Sequence, residues 1–208
     1  MGTPWARMHR ESAISFRRVA ADAGIPGGDN AVMPEQARLT QTPSGLVPEG
    51  AGWFVVNARD ARWLNGQFGA YTRFEGEDRF PSLGFNIAVL EPGQPACYYH
   101  GEDEQEDFLV LRGECLLLIE GGERPLRAWD FIHCPPWTKH VFVGAGDGQC
   151  ALLAVGTRLT DGVVYPESDL ARRHGAGAPR ETRDPATAYA DVPDDVETPY
   201  QPGWLPDA

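Results

Sequence analysis

Two histidines and a group of carboxylates carry the chemistry this sequence can do. His100 and Glu102 stand two residues apart, Glu106 follows four residues on, and His140 comes much later, after Cys134-Pro135-Pro136-Trp137. Alternate residues of a β-strand face one side, so His100 and Glu102 can enter the same pocket. Glu106 can join them across a turn or along the next strand, and His140 reaches them from a separate strand. Imidazole nitrogen with carboxylate oxygen is a ligand set for Fe(II), Mn(II), Ni(II), Cu(II) or Zn(II). Two histidines and one carboxylate leave coordination positions open, which suits redox or Lewis-acid chemistry. Tyr98 shares the alternation parity of His100 and is a candidate for the pocket wall. Trp137, beside the His140 turn, is a candidate for its mouth.

Neighbouring residues read as structural. His133 lies between the apolar Ile132 and Cys134 and is expected to point away from the pocket. Cys134 has no base assigned to it and reads as a buried thiol. Asp103 and Glu104 read as a solvated loop face, and Asp130 as a residue that ties a turn by backbone hydrogen bonds. The sequence has no Gly-x-Gly-x-x-Gly loop, no Gly-x-x-x-x-Gly-Lys loop and no Gly-x-Ser-x-Gly elbow, which removes the common nucleotide and serine-hydrolase signatures.

The elements that must position these groups are short and extended. Strand-forming stretches are expected at Trp53–Val56, Phe68–Phe74, Leu83–Leu90, Glu106–Arg112, Glu114–Glu120, Arg124–Ala128, Phe131–Cys134, His140–Val143 and Cys150–Val155. Glu91-Pro92-Gly93, Gly121-Gly122 and Gly144 to Gly148 supply turns between them. Strands with turn signals about every 8–12 residues indicate a sandwich or barrel. Before them, Phe16, Val19, Ala20 and Ala23 predict one amphipathic helix, and residues 34–52 an extended arm. Met33 is an alternative start that would make the first 32 residues dispensable. After the strands, Ser168 caps a short helix to His174 and Asp184 starts another turn of helix. The aromatic end, Tyr200 to Pro206, is expected to pack back on the barrel or on a second subunit.

Composition narrows the class. The chain has 208 residues and a formal net charge of −12, which excludes non-specific binding to nucleic acid or to an anionic membrane. No apolar run approaches the ~18 residues of a membrane span, and the first 20 residues have no secretory hydrophobic region. Cys97, Cys115, Cys134 and Cys150 are widely spaced, as reduced thiols of a cytoplasmic protein would be.

Two stretches resemble the cupin family. Its first motif runs Gly, about five residues, His-x-His, three or four residues, Glu, six residues, Gly; Gly93, His100, Glu102, Glu106 and Gly113 occupy it. Its second motif, Gly-Asp, a strand and Pro-x-Gly-x-x-His, is occupied by Asp130, Pro135, Trp137 and His140. The resemblance covers roughly residues 53–157. It implies an all-β, double-stranded β-helix, a jelly-roll barrel with short helical and extended tails. By the same resemblance His100, Glu106 and His140 are metal ligands. Glu102 stands where a second His is usual, and as a fourth donor it makes a harder site leaning to Mn or Fe. Trp137 and Trp129 stand at or next to positions where glycine is usual, and no Asn follows His140.

The organisation expected is therefore an N-terminal helix and arm (1–52), a barrel (53–157) and an acidic, Pro-rich tail (158–208). The cofactor expected is one divalent transition metal, Fe, Mn, Zn or Ni. The function expected is a metal-dependent enzyme on a small polar molecule, of oxygenase, isomerase or lyase type, with Glu102 or Glu106 as base if it is not a ligand. The alternatives are a cupin that binds a sugar or metabolite without turnover, and a structural or storage role, which the polar pocket disfavours. Open sheet edges point to a homodimer formed through strands or the N-terminal arm. A small-molecule ligand is expected, with neither nucleic acid nor membrane as partner.

Overall fold

The computed structural model describes residues 34–207. The helix expected over Phe16–Ala23 and the alternative start at Met33 lie outside the described residues.

Strand β1 (Arg38–Thr42) pairs antiparallel with β2 (Gly45–Glu49) as a hairpin. Thr42 Oγ1 donates to the Gly45 carbonyl at 2.7 Å and closes the turn. Residues 34–52, expected as an extended arm, are extended and pair with themselves; Pro43, Gly45 and Pro48 hid a pairing that only the register reveals. The strand expected at Trp53–Val56 does not form. Trp53 makes a single parallel bridge with Gln36, and Val55 is 78% exposed. The strand falls later, at β3 (Arg62–Gly66), because there a partner lies alongside: β4 (Gly69–Arg73), joined by a tight turn.

β5 (Leu83–Leu90), β6 (Gly101–Glu102), β7 (Glu106–Arg112), β8 (Glu114–Ile119) and β9 (Gly122–Arg127) follow. β10 (Phe131–Cys134), β11 (His140–Ala145), β12 (Cys150–Thr157) and β13 (Val163–Val164) complete the central run. The tail adds α1 (Asp169–Arg173), α2 (Pro185–Ala188) and β14 (Val196–Thr198). The main sheet has the order β10-β7-β12-β5-β4-β3-β14, and a second sheet the order β11-β8-β9. The fold is the all-β double-stranded β-helix expected. Its core lies between the sheets, where Phe108, Val110, Leu152 and Leu90 of one meet Leu117, Leu118, Val141 and Val143 of the other. Truncating a fully buried leucine such as Leu152 to Ala costs about 2–5 kcal/mol.

Local chemistry explains the punctuation. The β8–β9 loop is Glu120-Gly121, at φ 46° and 78°, the two positive values that a two-residue hairpin requires. Gly113 sits at φ 71° between β7 and β8, where a Cβ would collide with the Gln149 carbonyl. Ser168 accepts from the Ala171 N–H at 3.1 Å and starts α1; Asp184 does the same for α2 through the Ala186 and Thr187 N–H groups. At the C-terminal end Trp204 is buried, its ring 4.8 Å from that of Trp63, and β14 pairs with β3.

Candidate metal centre

His100 and His140 enter the barrel from two chain segments that meet at one antiparallel bridge. The His100 N–H donates to the His140 carbonyl at 3.2 Å, and the His140 N–H returns to His100 at 2.8 Å. Cross-strand partners project to the same side, so the two rings lie 5.2 Å apart, centroid to centroid. Glu106 comes from the start of β7, between Cys134 of β10 and Gly156 of β12. One donor atom each from His100, Glu106 and His140 lie within 4.8 Å of one another, and all three residues are at most 3% exposed.

The imidazole orientations are set from behind. His100 Nδ1–H donates to the Tyr98 carbonyl at 2.8 Å, and His140 Nδ1–H to the Thr138 carbonyl at 3.0 Å. Each Nε2 therefore presents its lone pair inward, the arrangement that outer hydrogen bonds impose on ligating histidines. Inward they meet carboxylates: His100 Nε2 lies 3.1 Å from Glu102 Oε1, and His140 Nε2 3.4 Å from Glu106 Oε2. A lone pair facing a carboxylate oxygen in a dry interior needs a cation between them, either a proton or a metal ion. The donor set of two imidazoles and a carboxylate fits a divalent transition metal. Bond lengths near 2.1 Å place donors about 4 Å apart at most, so the three side chains would draw in by roughly half an ångström. Glu102 stands outside this group of three, against His100, and is equally buried.

Burial and mutual repulsion shift the titrations. Burial, with Glu102 nearby, pushes the Glu106 carboxyl well above the usual carboxylate range. Burial, with His100 nearby, pulls His140 down to about 4. For His100 burial opposes the charged form, yet Cys97 and Glu102 outweigh it and hold the imidazolium well above its ordinary value. Without a metal these shifts favour the proton-bearing forms of His100, which faces Glu102, and of Glu106, which faces His140.

The other residues singled out from sequence fall as follows. Tyr98 contributes its carbonyl to His100, while its ring packs with Phe68 and Tyr189 at 5.0 and 4.8 Å. The segment before β6 is irregular, so strand parity does not govern where that ring goes. Trp137 is part-exposed under the Arg183 guanidinium, 5.6 Å from its ring centroid, and its N–H donates to the Glu102 carbonyl. At φ 68° it holds the backbone conformation glycine would favour, as does Trp129 at φ 76°. His133 points outward and bonds Asp107 Oδ1 at 2.7 Å. Cys134 is buried and its thiol pushed up to about 12.

The acids between His100 and Glu106 correct the expectation of a solvated loop face. Glu104 is 7% exposed. It accepts from Thr157 Oγ1 and from the N–H and Oγ1 of Thr160, the last at 2.7 Å. Burial opposes its ionised form, but these hydrogen bonds outweigh it and hold its carboxyl below the ordinary range. The Asp103 N–H donates to the Gly162 carbonyl at 2.9 Å, and Asp103 Oδ1 accepts from the Gly162 N–H at 2.9 Å. With β13 pairing to β6, residues 157–165 form a strap laid directly across the His100–Glu106 segment. The strap delivers Tyr165, fully buried, with its ring 5.9 Å from that of His100. Cys97 Sγ lies 3.6 Å from His100 Nδ1. Neither Tyr165 nor Cys97 was a candidate from sequence. Tyr165 carries no local motif and lies over 60 residues from His100, and Cys97 precedes a strand too short to assign it a face.

Residues 86–156 match the Cupin domain family. No curated protein matches the chain. Among solved structures, a candidate sugar phosphate isomerase of Acidithiobacillus ferrooxidans is 29% identical over 40% of this chain, with a TM-score of 0.37. The match spans 54% of that protein, about half its length. A sugar phosphate isomerase from a cupin superfamily, from Silicibacter pomeroyi, is 26% identical over 51% of this chain and 71% of its own, TM-score 0.40. A predicted oxalate decarboxylase of Thermotoga maritima is 20% identical over 51% of this chain and all of its own, TM-score 0.44.

Proposed function

We propose that this chain, a member of the cupin superfamily through its residues 86–156, holds a divalent transition metal on His100, Glu106 and His140 and acts on a small polar molecule. The observation that carries the reading is the inward convergence of two Nε2 lone pairs and one carboxylate, with both Nδ1 atoms committed to backbone carbonyls. When bound, such a metal supplies Lewis acidity or redox chemistry and open coordination positions. The chain's own residues do the rest. Tyr98 and Thr138 hold the imidazoles in the ligating tautomer. Glu102, buried beside His100, is either a fourth donor or the base that takes a proton from a bound molecule. The strap and the aromatic cluster of Phe68, Tyr98, Tyr165 and Tyr189 exclude water. The reaction class is oxygenase, isomerase or lyase.

Burial of the whole group favours a second reading, a cupin that retains a small ligand without turnover. Four free, buried cysteines support a reducing, cytoplasmic setting, and among the described residues no helix is long and apolar enough to cross a membrane. Elemental analysis of protein purified without chelator tests the metal centre. About one equivalent of a transition metal is expected, lost in His140→Ala and Glu106→Gln. Absence of metal from all three proteins, with no uptake when Mn(II), Fe(II), Ni(II) and Zn(II) are added, refutes it. Turnover of a polar substrate panel by the loaded protein then separates enzyme from binder.

A further inference from the structure

We propose that the barrel interior beside the metal centre is a subsite for a small neutral molecule with several hydroxyl groups, read by Asn86 and Arg158. This deepens the metal reading and rests on it, since the other end of the molecule meets the metal. Inward positions of β7, β12 and β5 fall in cross-strand rows. The row that carries Glu106 continues through Gly156 to Gly84, and the next runs Phe108, Ala154, Asn86. Phe108 packs on His140, its ring centroid 5.2 Å away. Glu106 and Gly84 are two strand spacings apart, roughly 10 Å, and the floor between them is two glycines and an alanine. Among the described residues, a Cβ at Gly156 would meet nothing nearer than Glu106 Cγ at 3.6 Å. No close contact obliges a glycine there, and its missing side chain leaves room beside the ligating carboxylate.

The far end of that floor carries unspent polar atoms. Asn86 interrupts the apolar run of β5 and shares the inward parity of Ala88 and Leu90, both in the core. It is 6% exposed, and its Oδ1 has no hydrogen-bond partner among the described residues. Arg158 continues the inward parity of β12 one step past its end, its N–H donating to the Ser82 carbonyl at 3.1 Å. Its guanidinium lies over Gly84, where a Cβ would come within 2.9 Å of Nε, Cζ and Nη2. Nη1 and Nη2 donate to the two Glu75 oxygens, at 2.5 and 3.2 Å. Nε is buried with no partner among the described residues.

These atoms define the ligand. Buried donors and acceptors are nearly always paired, and here an acceptor and a donor wait at neighbouring inward positions of β5, about 7 Å apart along the strand. Hydroxyl groups satisfy both, because each donates and accepts. Glu75 already meets the charge of Arg158, so a carboxylate would have to break a buried ion pair, which is costly. The net charge of −12 disfavours an anion further.

The test is calorimetric binding of glycerol, erythritol and xylitol to the Mn(II)-loaded full-length chain, with succinate and glutarate as anionic comparators. Asn86→Leu and Arg158→Lys are measured beside the native chain, with metal content and Tm for each. Arg158→Lys keeps a charge for Glu75 but has no Nε–H over Gly84. At least one polyol should bind the native chain, more tightly than either dicarboxylate. Each substitution should leave metal content unchanged and weaken that polyol at least tenfold. Asn86→Leu, which removes an unpaired buried amide, should also hold or raise the Tm, whereas an asparagine kept for structure alone would lower it and leave polyol affinity intact. A metal-loaded native chain that binds no polyol overturns the inference, the space then holding only water, and leaves the metal reading standing. Tighter binding of a dicarboxylate overturns it too, as does polyol affinity that survives either substitution. A native chain that takes up no metal refutes the metal reading, and the same tenfold criterion on the metal-free proteins then decides the subsite. Should one variant misfold, the other decides; should both, the preference of the native chain does.

Discussion

His100 and His140 are bridge partners: their backbones exchange two hydrogen bonds, and their rings leave that bridge on one side, 5.2 Å apart. The candidate centre is therefore as rigid as a sheet ladder. Neither imidazole can turn away without giving up a bond to its own carbonyl partner.

Metal should stabilise the fold through this pair. At a free concentration one hundred times its dissociation constant, a ligand that binds only the native state adds about 2.7 kcal/mol. Thermal melts with and without added Mn(II) or Zn(II) should show a rise in Tm for the native chain. His140→Ala should show almost none. An equal rise in both proteins would place the metal elsewhere.

The metal-free protein should lose stability on the alkaline side of neutral pH, because on the acid side two shifts oppose each other. His140 is held at about 4, below its ordinary 6.5. The unfolded chain thus takes up a proton that the native state refuses, and this group alone would cost up to about 3 kcal/mol as pH falls from about 6.5 to about 4, but the raised Glu106 gains over the same fall and offsets it. Glu106 and His100 are shifted upward. Their contribution is present at low pH and lost as pH rises through their folded values. A bound dication replaces both of those protons, so metal should abolish the alkaline loss, and affinity should rise with pH. Melts from pH 4.5 to 9, with and without metal, should be nearly flat below about 6.5 and fall above it only without metal.

Glu104 should behave as a latch. Glu104→Ala removes a charged acceptor from Thr157 Oγ1 and from the N–H and Oγ1 of Thr160, and frees the strap from the His100–Glu106 segment. A loss of about 1–3 kcal/mol is expected. Hydrogen exchange should quicken in residues 157–165, and a chelator should strip metal faster. Unchanged exchange in that segment would mean that β13 and Asp103 hold the strap by themselves.

Trp129→Gly should stabilise. Trp129 is 73% exposed and sits at φ 76°, so little packing is lost while a left-handed strain of roughly 1 kcal/mol is relieved. A rise of several degrees in Tm is expected for a domain of this size. A fall would show that the exposed indole makes a contact worth more than the strain.

Several strands and both short tail helices are legible in the sequence because their signals are local. Alternation across Glu106–Arg112 and a Ser168 or Asp184 cap need no distant partner. The misread stretches are those where pairing overrides propensity. Trp53–Val56 has the composition of a strand and no partner for it, whereas Arg38–Thr42 has weak composition and a good partner in Gly45–Glu49. Glu104 misled for the same reason: an acid in a run of acids looks solvated until a strap from residues 157–165 is laid over it.

By itself the sequence determined which groups could do chemistry, His100, Glu102, Glu106 and His140, and that they ride on short strands, because side-chain type and two-residue periodicity are properties of neighbours along the chain. Only the tertiary structure decided which of them meet. It set His100 against His140 through one bridge, put Glu106 within reach of both, turned Glu102 toward His100, and brought Tyr165 and the Glu104 latch from a distant segment. Those relationships depend on register and chain crossing, and the free energy that selects them comes from burying the sheets together, which no local window of residues contains.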